Sequence, residues 1–83
     1  MPVSIGPERS EIRKLAIERL TKIATSSSSV DVAREALNIL TSYGEEAIPS
    51  LFTIAEEAVS DYIKWIAIRR MHEIAEAETI RKQ

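Results

Sequence analysis

Apolar residues recur along this chain in steps of three and four and never alternate over a strand length, so the pattern reads as helix throughout. Ile12, Leu15, Ala16, Leu20, Ile23 and Ala24 share one stripe of a first helix. That helix is expected to open at Pro7, which has no amide hydrogen to leave unpaired in a first turn. Glu8 and Glu11 complement the positive end of its dipole. The run Ser26-Ser27-Ser28-Ser29 interrupts the stripe, because hydroxyls compete for backbone hydrogen bonds and favour turns and caps. Ser29 reads as the cap of a second helix, with Asp31 just inside. This helix is expected to reach about Tyr43 and to bury Val32, Ala36, Leu40 and Tyr43, with Ala33, Leu37 and Ile39 widening the stripe. Gly44 closes it, since glycine enters the left-handed conformation at no steric cost. A third helix is expected from near Ala47, which keeps Pro49 in its first turn, to about Ala58. Leu51, Ile54, Ala55 and Ala58 are its apolar side. Ser60 or Asp61 caps a fourth helix through about Glu78, leaving a short tail at 79–83. The expectation is all-α: four antiparallel helices in one domain.

Sliding the chain on itself gives one register. Residues 14–44 align with 45–75 without a gap, at an offset of 31. Ala16, Ile17, Leu20, Ile23, Ala24, Ser29 and Ala36 recur as Ala47, Ile48, Leu51, Ile54, Ala55, Ser60 and Ala67. Val32, Leu37, Leu40 and Tyr43 are replaced by Ile63, Ile68, Met71 and Ile74, which keeps those positions apolar. The pattern is that of a duplicated helical hairpin, with a first unit at about 7–44 and a second at about 45–78, the alternative being two unrelated hairpins of similar length.

The junction Tyr43-Gly44-Glu45-Glu46-Ala47-Ile48-Pro49-Ser50-Leu51 resembles the boundary between successive HEAT-type repeats. A small residue there ends one helix, and an acidic residue, an aliphatic and a proline begin the next. Ser29 through Val32 and Ala36 to Leu40 looks like the inner helix of such a unit, as does its copy from Ser60 through Ile63 and Ala67 to Met71. The pattern departs where Glu18 occupies the position of Pro49, and where Ala33 follows Val32 with Arg34 one place late. The resemblance implies a short right-handed stack of two hairpins that binds protein without catalysis. Units of this kind bury their faces on neighbours, and about three are usual for a stable stack. Two units must draw on tight packing, self-association or a partner.

Composition narrows the chemistry. With 45% hydrophobic and 29% charged residues over 83 positions, the chain suits a small helical domain with a thin core. The lack of cysteine excludes disulfides and thiol chemistry. No apolar run is long enough to span a bilayer and the first residues carry no signal-peptide pattern, so a cytoplasmic location and no membrane partner are expected. Asn38 and Gln83 are the only side-chain amides, a bias of heat-adapted proteins. The net charge of −2 is the wrong sign for a chain devoted to phosphate binding. The charge is uneven, at +2 over residues 1–28, −5 over 29–60 and +1 over 61–83.

The two copies differ most on one side of the fourth helix. Tyr62, Trp65, Arg69 and His72 fall within about 80° of arc at the usual helical angle per residue. Their counterparts Asp31, Arg34, Asn38 and Thr41 are polar, and Ile66 beside them replaces Glu35. One reading is a partner-binding patch of Tyr62, Trp65, Ile66 and Arg69 rimmed by His72, since Trp, Tyr and Arg dominate binding hot spots. The other is that Trp65 and Tyr62 pack internally, under the first helix or under Ala77 and Ile80.

Other chemistry is sparser. Lys64, Arg69 and Arg70, with Arg13 and Lys14 from the first helix, are candidate nucleic-acid contacts beside two rings able to stack on bases. Arg81 and Lys82 extend that charge, whereas Glu73 and Glu76 interrupt it. His72 and Glu76 are spaced as a helical metal pair but lack a third ligand, and His72 lacks a nucleophile to serve as a base. The serine run is a turn with a cap before it is a phosphate acceptor. Gly6 and Gly44 stand apart from any phosphate loop. No catalytic residue, metal or other cofactor is expected. The function read from the sequence is a small adaptor or accessory subunit docking on a larger protein, or pairing with itself, through the Trp65 face. The alternative is an accessory factor of nucleic-acid machinery.

Overall fold

The computed structural model describes the backbone of residues 5–82 and the side-chain surroundings of residues 9–80. It is all-α: α1 spans Ile5–Ser26, α2 Val30–Thr41, α3 Ile48–Glu57 and α4 Asp61–Lys82, with no strand among the described residues. A 3-10 turn at Gly44–Ala47 joins α2 to α3. Helix α1 is already formed two residues ahead of the expected start at Pro7, and the side chains of Pro7, Glu8, Arg81 and Lys82 lie outside the described set. Helix α4 continues four residues past Glu78, so the expected tail is helical through Lys82. No helix among the described residues is long and apolar enough to cross a membrane.

The punctuation follows local chemistry. The Ser29 hydroxyl accepts from the Val32 amide at 3.3 Å, and the Ser60 hydroxyl accepts from the Tyr62 and Ile63 amides at 3.1 and 3.4 Å. Each thereby satisfies a donor that a helix start leaves unpaired. Gly44 has φ of +67°, the left-handed geometry that ends α2 two residues before the expected Tyr43. Pro49 sits in the first turn of α3, where its ring displaces no hydrogen bond. The half-buried hydroxyls of Thr21, Thr25 and Thr41 donate to the carbonyls four residues back, so none is orphaned inside the fold.

Consecutive helices pair across short connections, α1 with α2 and α3 with α4. The pairs then lie side by side, α1 along α3 and α2 along α4. Leu37, Leu40, Leu51, Ile54 and Ile63 are the largest enclosed side chains. Ala24, Ala33, Ala36, Ala47, Ala58 and Ala67 fill the close approaches between helices. No ring belongs to this core, and Tyr43 only leans on its edge. The result is a thin slab of 48 × 36 × 17 Å. Its radius of gyration of 14.1 Å exceeds the roughly 12 Å of a compact chain this long.

Several residues expected inside are at the surface. Ile12, Leu15 and Ile23 of α1 and Val32 and Ile39 of α2 are exposed. The apolar stripe of each helix is wider than the one neighbour available to the first pair can cover. Beyond the second pair, Phe52, Val59, Ile68 and Ile80 are exposed in the same way.

Candidate functional site

Helices α2 and α4 each start from a serine cap, Ser29 and Ser60, so residues at equal distances from the caps share the same helical phase. Asp31 and Tyr62 each stand two residues after their cap, and Arg34 and Trp65 five after. These residues meet across one groove of about 550 Å³. Asp31, Arg34, Glu35 and Asn38 form the α2 wall, and Tyr62, Trp65, Ile66, Arg69 and Arg70 the α4 wall.

Trp65 is 55% exposed and Tyr62 47%, so neither ring is packed inside the chain. The Arg69 guanidinium lies over the Trp65 ring at 5.2 Å from its centroid, a cation–π contact between two groove residues. Arg34 pairs with Asp31 at 3.7 Å and Arg70 with Glu73 at 3.5 Å. Both pairs join residues three apart on one helix at the surface, where such contacts orient side chains more than they stabilise them. Ile66 departs from expectation. Only 6% exposed, it is the floor of the groove rather than part of an accessible patch. The cause is its angle, on the border between the outward arc and the buried line of Ile63, Ala67 and Ile74. His72 is exposed one turn beyond Arg69 and does not line the groove.

The five candidate phosphate contacts do not form one surface. Arg69 and Arg70 share the groove, and Lys64 is half-buried on α4 outside its lining. Lys14 stands on the outer side of α1 beside Glu11 and Glu18. Arg13 is hydrogen-bonded to Glu46 and lies over the Tyr43 ring at 5.0 Å from its centroid. The hydrogen bond from Arg13, with its charge, holds the Glu46 carboxyl below the usual glutamate range, while the same bond raises Arg13 further. This clasp ties α1 to the 3-10 turn.

Sequence reasoning missed the α2 wall. Arg34, Asp31, Glu35 and Asn38 stand out in sequence only as the polar counterparts of the α4 residues, and their shared spacing from the serine caps was the signal that the two sets face one groove. It also missed a second groove, of about 330 Å³, between α1 and α2, lined by Leu20, Ile23, Val32, Ala36 and Ile39 with Asp31 and Glu35 at its edge. The first groove combines rings for apolar contact with guanidinium and carboxylate groups for ion pairing, which is the chemistry of recognition. Compared with known proteins, the chain matches no family model, no curated protein and no solved structure.

Proposed function

We propose that the chain is a non-catalytic protein-interaction module of two HEAT-like hairpins, an adaptor or accessory subunit that docks a partner in the groove between α2 and α4. The observation that carries this reading is the placement of Trp65 and Tyr62, half-exposed on one wall of a groove that also holds Arg34 and Arg69. The core is complete without either ring. The occupant that fits is a segment of a larger protein with an apolar side chain to lie on the rings and a carboxylate to meet Arg69. Trp and Arg anchors of this kind carry most of the energy of typical interfaces.

The test is capture from native lysate by the intact chain, by Trp65→Ala and by Phe52→Ala, an exposed ring on another face. A partner held by the intact chain and by Phe52→Ala but lost from Trp65→Ala supports the groove. With that partner purified, Trp65→Ala should weaken affinity by about 30-fold or more, the effect of losing a hot-spot side chain worth roughly 2–4 kcal/mol. Equal capture by all three baits removes the groove from the interaction. The nucleic-acid reading keeps one observation in its favour, the guanidinium groups of Arg34, Arg69 and Arg70 beside two rings. Single-strand binding that weakens steeply with added salt would move the assignment there.

A further inference from the structure

Three exposed apolar residues, Ile23 and Val32 at one end of the slab and Ile68 at the other, are the register copies of residues enclosed where the two helix pairs meet. At the first end, Val32 is 49% exposed while its copy Ile63 is 1% exposed. Ile23 is likewise exposed where Ile54 is enclosed, and Leu20 half-buried where Leu51 is enclosed. At the second end the order reverses. Ile68 is 53% exposed while its copy Leu37 is fully enclosed. Met71 and Ala55 are half-buried where Leu40 and Ala24 are enclosed. Each end thus repeats one side of the seam that already closes inside the molecule.

We infer that a second copy of this chain docks head to tail, its first end on the second end of its neighbour, in the geometry of the internal seam. Charge supports the pairing. Within the chain, Arg34 and Asn38 line a groove with Tyr62 and Ile66. Moved on by one unit, the same arrangement sets Trp65 and Arg69 of one copy opposite Asp31 and Glu35 of the next. Lys64 adds a second positive charge to that end, where the first unit has the buried Ala33. The apolar groove of Leu20, Ile23, Val32 and Ile39 carries its two carboxylates on the edge that these cations reach. Side-by-side apposition of like ends would instead face Asp31 and Glu35 with themselves. The contact is heterologous and leaves an unused end on every copy, so it builds open chains rather than closed dimers. The inference rests on the register between the units, and because Trp65 and Arg69 also line the groove, a foreign partner seated on them would compete with the neighbouring copy.

Sedimentation velocity on the full chain tests it, with Val32→Glu to block the first end and Ile68→Glu to block the second. Both sites are half-exposed in the single copy, and circular dichroism confirms that the variants fold. The wild type should show a weight-average mass that climbs with concentration through several species. Each variant alone should remain a single copy. Their mixture should stop at twice the protomer mass, because each supplies the end the other lacks. The exposed pair Glu35→Lys and Arg69→Glu gives a second reading: each alone should lose association, and mixing should restore it. A wild type that stays a single copy at roughly 1 mM, where even a millimolar contact is half occupied, overturns the inference. So does Val32→Glu or Ile68→Glu pairing with itself, which would mark a symmetric contact between like ends.

Discussion

Leu37 and Ile68 each stand eight residues after a capping serine, on matching faces of α2 and α4, yet one is enclosed and the other open to solvent. Truncating both to alanine isolates the effect of position within the slab. Leu37→Ala removes a side chain with no exposed surface and leaves a cavity among helices that cannot collapse fully. The expected loss is about 3 kcal/mol, near the low end of such changes because a slab this thin relaxes more readily than a thick core. A chain of this length has roughly 4–12 kcal/mol in total. The variant should therefore melt about 12–24 °C lower, at roughly 4–8 °C for each kcal/mol in small domains. Ile68→Ala removes a similar number of carbons that are already half in water. Three methylene equivalents at about 0.8 kcal/mol each, half-buried, give roughly 1 kcal/mol. Urea unfolding followed by circular dichroism at low micromolar protein measures both. Equal losses for the two variants would refute the reasoning, because the seam between the helix pairs would then not be where the stability resides.

Three further outcomes are expected. Ser29→Ala and Ser60→Ala should each cost about 1 kcal/mol through loss of a helix cap, while Ser28→Ala should be silent by thermal melting. Gly44→Ala should cost roughly 1 kcal/mol from the left-handed backbone alone, since a methyl group there meets no atom within 4 Å, and Gly44→Asn should cost less. The Glu46 carboxyl is held below its ordinary value in the folded chain, so the unfolded chain takes up that proton first as pH falls. The contribution of the Arg13 clasp is complete above the ordinary glutamate value and disappears as pH drops through the folded one. Glu46→Gln should flatten that acid limb in melting curves recorded against pH.

The helices, their caps and the turn at Gly44 were legible because each depends on a few neighbouring residues: a serine oxygen within reach of an amide, a glycine able to take positive φ, a proline confined to a first turn. Burial was legible only where a helix has neighbours on two sides. Periodicity places Val32 and Ile63 on equivalent stripes but does not say that one meets a second helix pair and the other meets water. The same blindness affected Ile66, whose angle sits on the border between the outward arc of α4 and its buried line. Tyr62, Trp65 and Arg69 stand out in the sequence because they differ from the polar residues at the matching positions of α2. The opposite wall was not, because Asp31, Arg34 and Asn38 are ordinary surface side chains until a second helix makes them half of a groove.

The single indole of the chain lies outside the aliphatic interior, on the wall of the groove and beneath a guanidinium. Its emission therefore reports the polarity and occupancy of that wall rather than the integrity of the interior. In the free chain the spectrum should peak at the long wavelengths of a water-exposed ring and move little on denaturation. A blue shift on adding another molecule would register arrival at the groove with no label attached.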